Sequence, residues 1–132
     1  MQAKIDTIIE RFPDLQVAVV TARNISAPET VPPALAEEIT AIEADAQVRF
    51  ADKGMGEIPG VAVWREAYKA FGVRKTSYRC SVERLIRKVR RDGRLAQIHP
   101  FVDAYNAVSL KHVFPLGADD LDKLVGDVCF RE

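Results

Sequence analysis

The chain has 132 residues, 48% of them hydrophobic, a globular composition sufficient for one core and unlike that of a disordered chain. Its 19 basic and 19 acidic residues cancel, so net charge by itself argues neither for nor against a nucleic-acid partner. Two cysteines, Cys80 and Cys129, and two histidines, His99 and His112, supply no clustered ligand set, which excludes a zinc site and leaves no metal or cofactor expected.

In chain order, the opening Met1-Gln2-Ala3-Lys4-Ile5-Asp6 lacks an apolar signal core. Apolar runs such as Val17-Ala18-Val19-Val20 fall far short of the roughly 20 residues that span a bilayer. A soluble, cytoplasmic protein is expected, with both cysteines reduced in the core. Leu15 to Ala22 is β-branched and apolar between Pro13-Asp14 and Asn24, which predicts a buried strand. Pro33 is placed to open a helix through about Phe50, with Leu35, Ile39, Ile42 and Ala46 inward and Glu37, Glu38, Glu43 and Asp45 solvated.

Lys53 to Gly60 predicts a flexible loop; Gly54 and Gly56 do not make a phosphate loop, because Pro59 holds the next glycine position and no Lys-Ser/Thr follows. Val63, Trp64, Ala67, Tyr68 and Phe71 form an apolar helical face closed by Gly72. Ser81 is the expected N-cap of a helix whose Val82, Leu85, Ile86 and Val89 face inward and which Asp92-Gly93 stops. A further helix is expected from Pro100 to His112, with Phe101, Val102, Tyr105 and Val108 inward. Asp119, Asp120 and Asp122 lack the oxygen ligands and loop glycine of a calcium site, so Asp119 is expected to cap a short helix. Val128 to Arg131 begins a strand, whose edge offers self-association. The fold expected is α+β, a single domain over 1–132 with helices packed on a small mixed or antiparallel sheet.

Charge is distributed unevenly. Arg74 to Arg94 holds nine basic residues against Glu83 and Asp92, a net of +7, while Glu29 to Glu57 carries −5 and Asp103 to Glu132 carries −3. Arg84, Arg87, Lys88 and Arg91 share one face of the predicted helix, and Arg94 follows it. Lysine and arginine on such a face contact phosphates without sequence preference, making RNA-backbone contact one reading and a solvated face the other.

Three segments together carry a family resemblance. They are Trp64 to Val73, Ser81 to Arg87, and Val102 to Leu110 followed by Pro115-Leu116-Gly117 and Asp119-Asp120-Leu121-Asp122. Over roughly 60–131 the chain resembles the B-three/B-four tRNA-editing domain of the phenylalanyl-tRNA synthetase β subunit, in its free-standing form. The resemblance implies a partner in tRNA or aminoacyl-tRNA and hydrolysis of mischarged aminoacyl-tRNA, with no synthetase activity of its own. It carries Asp103, Asn106, Pro115 and Asp120 over by position, and Asp103, Asn106, Gly117 and Asp120 form the candidate pocket.

Gly117 stands where the family has a histidine, and Ala96 where it has an arginine that Arg94 is placed to replace. Catalytic residues are therefore left open. Asn106 faces either the pocket or the turn at Pro115 to Gly117. The domain's second half is not represented after Glu132, so a domain lacking its C-terminal half is one expectation. The alternative function is a non-catalytic module binding an amino acid or small metabolite in the same fold.

Overall fold

The computed structural model describes residues 2–73 and 78–131. Two compact units are distinguished: Ala27–Gly117, and the described residues up to Ser26 together with those from Ala118 onward.

In the larger unit, Pro33 begins α2 (Pro33–Phe50), its ring fixing a helical φ where the first turn leaves an N–H unpaired in any case. Ile42, Ala46 and Phe50, each four residues apart, are its buried line, with Ile39 packed beside them. Glu43 was expected in solvent, yet its Oε1 accepts a 2.7 Å hydrogen bond from the Leu95 amide. After a short 3-10 turn at Met55–Glu57, Pro59 opens α3 (Pro59–Ala70), which seats Val61 in the core and lays Trp64 and Tyr68 against it. Gly72 follows at φ +77°, a left-handed value that glycine adopts without a Cβ penalty.

Helix α4 (Ser81–Asp92) buries Val82, Glu83, Ile86 and Val89 and ends at Gly93, φ +78°, whose N–H bonds the Val89 carbonyl. Cys80, not Ser81, is its N-cap, in extended backbone and without a side-chain capping bond. Helix α5 (Pro100–His112) has the predicted limits. Its orientation differs: Asp103, Ala107, Ser109 and Leu110 are buried, whereas Phe101 and Val108, expected inward, are 42% and 46% exposed. Helices α2, α4 and α5 pack on one another. Small Ala107 permits close helix approach and Leu110 fills the space, and that packing selects the face against the larger aromatic stripe. The displaced Phe101 and Tyr105 rings meet edge-on at 5.8 Å.

The smaller unit contains β1 (Ala3–Ile5), the short α1 (Ile8–Arg11) and β2 (Val128–Phe130). β1 and β2 pair in parallel, Ala3 opposite Val128 and Ile5 opposite Phe130. The α+β class stands, but this sheet is parallel rather than mixed or antiparallel. Its strands come from distant parts of the chain, so no hairpin forces opposite directions. One side of the strand expected to self-associate is thus occupied by β1. Register is fixed by Asp127, which accepts from the Gln2 amide at 2.8 Å and pairs with Lys4 Nζ at 2.7 Å.

The strand predicted at Leu15 to Ala22 does not form; the segment is irregular and Val20 is 90% exposed. β-branched residues favour a strand only where a neighbouring ladder accepts them, and among the described residues this segment has none. Cys129 is exposed rather than core, while Cys80 is buried; both are free thiols. At the Asp-Leu-Asp segment, Leu121 to Lys123 form a turn instead of a helix. Asp120 rather than Asp119 organises it: its Oδ1 accepts the Asp122 amide and its carbonyl the Lys123 amide, each at 3.0 Å.

Candidate nucleic-acid interface

Helix α4 is amphipathic because its valines and isoleucine are interleaved with basic residues at positions that rotate to the opposite side. Arg84, Arg87 and Arg91 are exposed and Lys88 is half-buried, so the predicted basic face exists as a surface. Its members differ in what they touch. Arg84 and Arg94 make no hydrogen bond or ion pair through their side chains among the described residues. Arg91 grips the neighbouring Asp92 with two hydrogen bonds, at 2.6 and 3.0 Å, and Lys88 Nζ reaches the same carboxylate at 2.5 Å. Those hydrogen bonds, Arg91 first, hold the Asp92 carboxyl far below the ordinary range. All of these groups are open to water, so the pairs are weak tethers that a phosphate can displace.

Arg90 lies apart from this face. It donates to the Lys53 and Ala51 carbonyls at 2.9 and 3.0 Å, closing the C-terminal end of α2. Arg74 and Lys75, the first cations of the basic segment, lie outside the described residues.

At the start of α4 the charge pattern turns inward. Glu83 is 1% exposed, and its carboxylate receives Arg65 Nε and Nη2 at 3.0 and 2.9 Å and Arg87 Nε at 2.9 Å. Arg79 Nε stands 3.5 Å from the same carboxylate, within ion-pair range, but is shielded from solvent and makes no hydrogen bond. Burial alone pulls the Glu83 carboxyl up; the hydrogen bonds and charges of Arg65 and Arg87 together outweigh it, and the net shift is downward. Glu83 therefore stays ionised. Burial likewise raises the neighbouring Cys80 thiol, leaving it a poor nucleophile.

This cluster opens onto a pocket of about 340 Å³ between α3 and the beginning of α4, lined among others by Arg65, Tyr68, Lys69, Tyr78 and Arg79. None of these stands out in the sequence as a site, and Glu83 counts there only as one of two acidic residues in the basic segment. The available signal was an acidic residue with arginines four before and four after it, Arg79 and Arg87, on a helix whose other side is core.

The candidate pocket residues are placed as follows. Asp103 is buried, and its Oδ1 accepts from the amides of Ile98 and His99 at 2.9 and 3.4 Å, tying down the chain as it enters α5. Asn106 is half-buried one turn further on, and its side chain makes no hydrogen bond among the described residues. The turn that Asn106 was one candidate to hold is held instead by Ser109, whose Oγ donates to the Phe114 carbonyl at 2.6 Å. Gly117 is exposed, with open space where a Cβ would point. Asp120 belongs to the smaller unit. Among the described residues there is no group of three His, Cys, Asp or Glu able to hold a metal ion, and no helix is long and apolar enough to cross a membrane.

A profile of the B3/4 domain matches residues 63–132, from within α3 through α4, α5 and β2 and over more than half of the chain. The chain belongs to the B3/4 domain family, the domain found in the β subunit of phenylalanyl-tRNA synthetase, and this membership points to a synthetase-related role. No curated protein and no solved structure matches it.

Proposed function

We propose that this chain binds tRNA or aminoacyl-tRNA, with the outward face of α4 lying along the RNA backbone. The observation that carries the reading is the line of Arg84, Arg87, Lys88 and Arg91 on one helix face, four cations against the two carboxylates, Glu83 and Asp92, that pair with them. Those positions cover about 10 Å of helix, a length over which adjacent phosphates can be met in register. Two acidic groups bond to that face among the described residues, Asp92 to Lys88 and Arg91 and the buried Glu83 to Arg87, which leaves Arg84 as its unpaired cation. Family membership supports tRNA as the kind of RNA.

Binding of tRNA to wild type and to an Arg84/Lys88/Arg91→Glu variant, across a salt series, tests this. The variant is expected to lose affinity and to flatten the dependence of log K on log salt by about two to three. An unchanged affinity and slope removes α4 from the interface. Hydrolytic editing is the further activity that the family suggests. Amino-acid release above the uncatalysed rate from a panel of mischarged tRNAs is its signature, and intact tRNA binding without release leaves a binding module.

A further inference from the structure

We propose that the pocket between α3 and the start of α4 is a mononucleotide site, which receives a phosphate on Arg79 and Arg65 and a base against Tyr78 and Tyr68. Charge balance is the first argument. Three guanidiniums, Arg65, Arg79 and Arg87, surround the single buried carboxylate of Glu83, an excess of two positive charges in the ion cluster. Arg65 and Arg79 line the pocket and Arg87 does not, while Lys69 and Glu66 in the lining offset each other. A phosphate monoester carries about −1.5 to −2 at neutral pH, which matches that surplus better than a carboxylate does.

Donor use is the second argument. Arg65 uses Nε and Nη2 on Glu83, leaving Nη1 without a hydrogen bond among the described residues. Gly56 borders that nitrogen: a Cβ there would stand 4.0 Å from it, an ordinary contact. Among the described residues Arg79 is held by charge alone, its Nε without a hydrogen bond although its side chain is only 32% exposed. A purely structural ion cluster satisfies its arginines, because an unspent donor near a desolvated carboxylate gains nothing. Here Arg65 and Arg87 make all the side-chain hydrogen bonds that Glu83 receives among the described residues, and Arg79 makes none of them.

The remaining lining decides the class of ligand. Tyr68 and Tyr78 supply aromatic surface beside the cations, and Lys69 and Glu66 add one charge of each sign to the lining. Aromatic faces beside guanidiniums suit an unstacked base with its phosphate. The volume of about 340 Å³ lies within the range of small-molecule sites. The same chemistry is offered by a free nucleotide and by a nucleotide splayed out of an RNA strand; the RNA source, but not the pocket, rests on the tRNA-binding reading.

Calorimetric titration with AMP, with adenosine, and with a short 5′-phosphorylated single-stranded RNA tests the site in wild type, Arg79→Gln, Tyr78→Ala and the α4 triple variant. AMP is expected to bind saturably and adenosine about tenfold more weakly, with a similar loss of AMP affinity in Arg79→Gln and in Tyr78→Ala. Both substituted side chains reach solvent, and unfolding curves verify that the fold is kept. The α4 triple variant is expected to bind AMP as wild type does.

No saturable binding at millimolar AMP, equal binding of adenosine, or AMP affinity unchanged in both pocket variants overturns the proposal. AMP competing with the RNA strand assigns the strand as the source, and AMP binding without strand binding assigns the free nucleotide; both uphold the site. Wild type that binds tRNA but not AMP sinks the pocket alone. Wild type that binds AMP but not tRNA sinks the RNA-binding reading alone.

Discussion

Arg65 and Glu83 form a two-pronged ion pair, Nε to Oε2 at 3.0 Å and Nη2 to Oε1 at 2.9 Å, that fastens α3 to the first turn of α4. The carboxylate is buried while the guanidinium reaches solvent. Replacing Glu83 with Gln is expected to cost about 2 kcal/mol in urea unfolding, because it leaves Arg65 and Arg87 facing an uncharged buried group.

The same carboxylate sets an acid dependence. Its folded-state value lies below the ordinary one of about 4.3, so its contribution is complete above that value and is lost as pH falls through the lower folded value. Wild-type stability should therefore drop below about pH 4 more steeply than that of Glu83→Gln. Parallel pH profiles of urea midpoints check this, and superimposable profiles would show that Glu83 adds no pH-linked stability.

Gly60 and Val113 are in such close approach that a Cβ on Gly60 would overlap the Val113 carbonyl oxygen and lie 2.8 Å from its Cγ1. Val113 is itself at φ +52°, an unusual conformation for a β-branched residue, and packs against the core. Neither partner can retreat freely. Gly60→Ala is expected to destabilise by about 1–3 kcal/mol in chemical denaturation.

Two adjacent arginines separate folding from binding. Arg90→Ala removes the bonds to Ala51 and Lys53 and is expected to lower stability by about 1 kcal/mol without altering the salt slope of tRNA binding. Arg91→Ala should leave stability within about 0.5 kcal/mol and reduce that slope by about one. Denaturation midpoints and tRNA titrations on the two variants distinguish the roles.

At the end of α5, Ser109→Ala should cost about 1 kcal/mol through loss of the bond to the Phe114 carbonyl. Asn106→Ala should be close to neutral, because alanine is the better helix former and no side-chain bond is broken. A larger loss at Asn106 than at Ser109 would reverse this assignment.

Three helix limits were legible from backbone chemistry, while Pro59, which opens α3 in the same way, was hidden in a stretch expected to be a loop. Pro33 and Pro100 begin helices and Gly93 ends one for reasons confined to their own φ angles and missing or free N–H groups. The α4 core face was legible too, since only one side of that helix is apolar. The α5 face was not: Phe101, Val102, Tyr105 and Val108 make as good a stripe as the one buried, and the choice belongs to α2 and α4. Leu15 to Ala22 has strand composition without strand partners, which lie beyond the reach of local pattern. The basic surface was readable residue by residue. The pocket was not, because it depends on Arg65 in one helix meeting Glu83 in the next, a relation that no spacing within either segment encodes.

The burial of Glu83 also bears on the rates at which an anion is captured and released. An exposed arginine samples many rotamers and loses them when it binds, a cost of roughly 0.5–1.5 kcal/mol per side chain. Arg65 and Arg87 are already held by hydrogen bonds to the buried Glu83 carboxylate. A phosphate reaching this end of α4 meets guanidiniums whose aim was settled during folding. Preorganisation of this kind lengthens residence on the protein more than it speeds arrival, so losing Glu83 should shorten the lifetime of a bound anion even though it removes a negative charge.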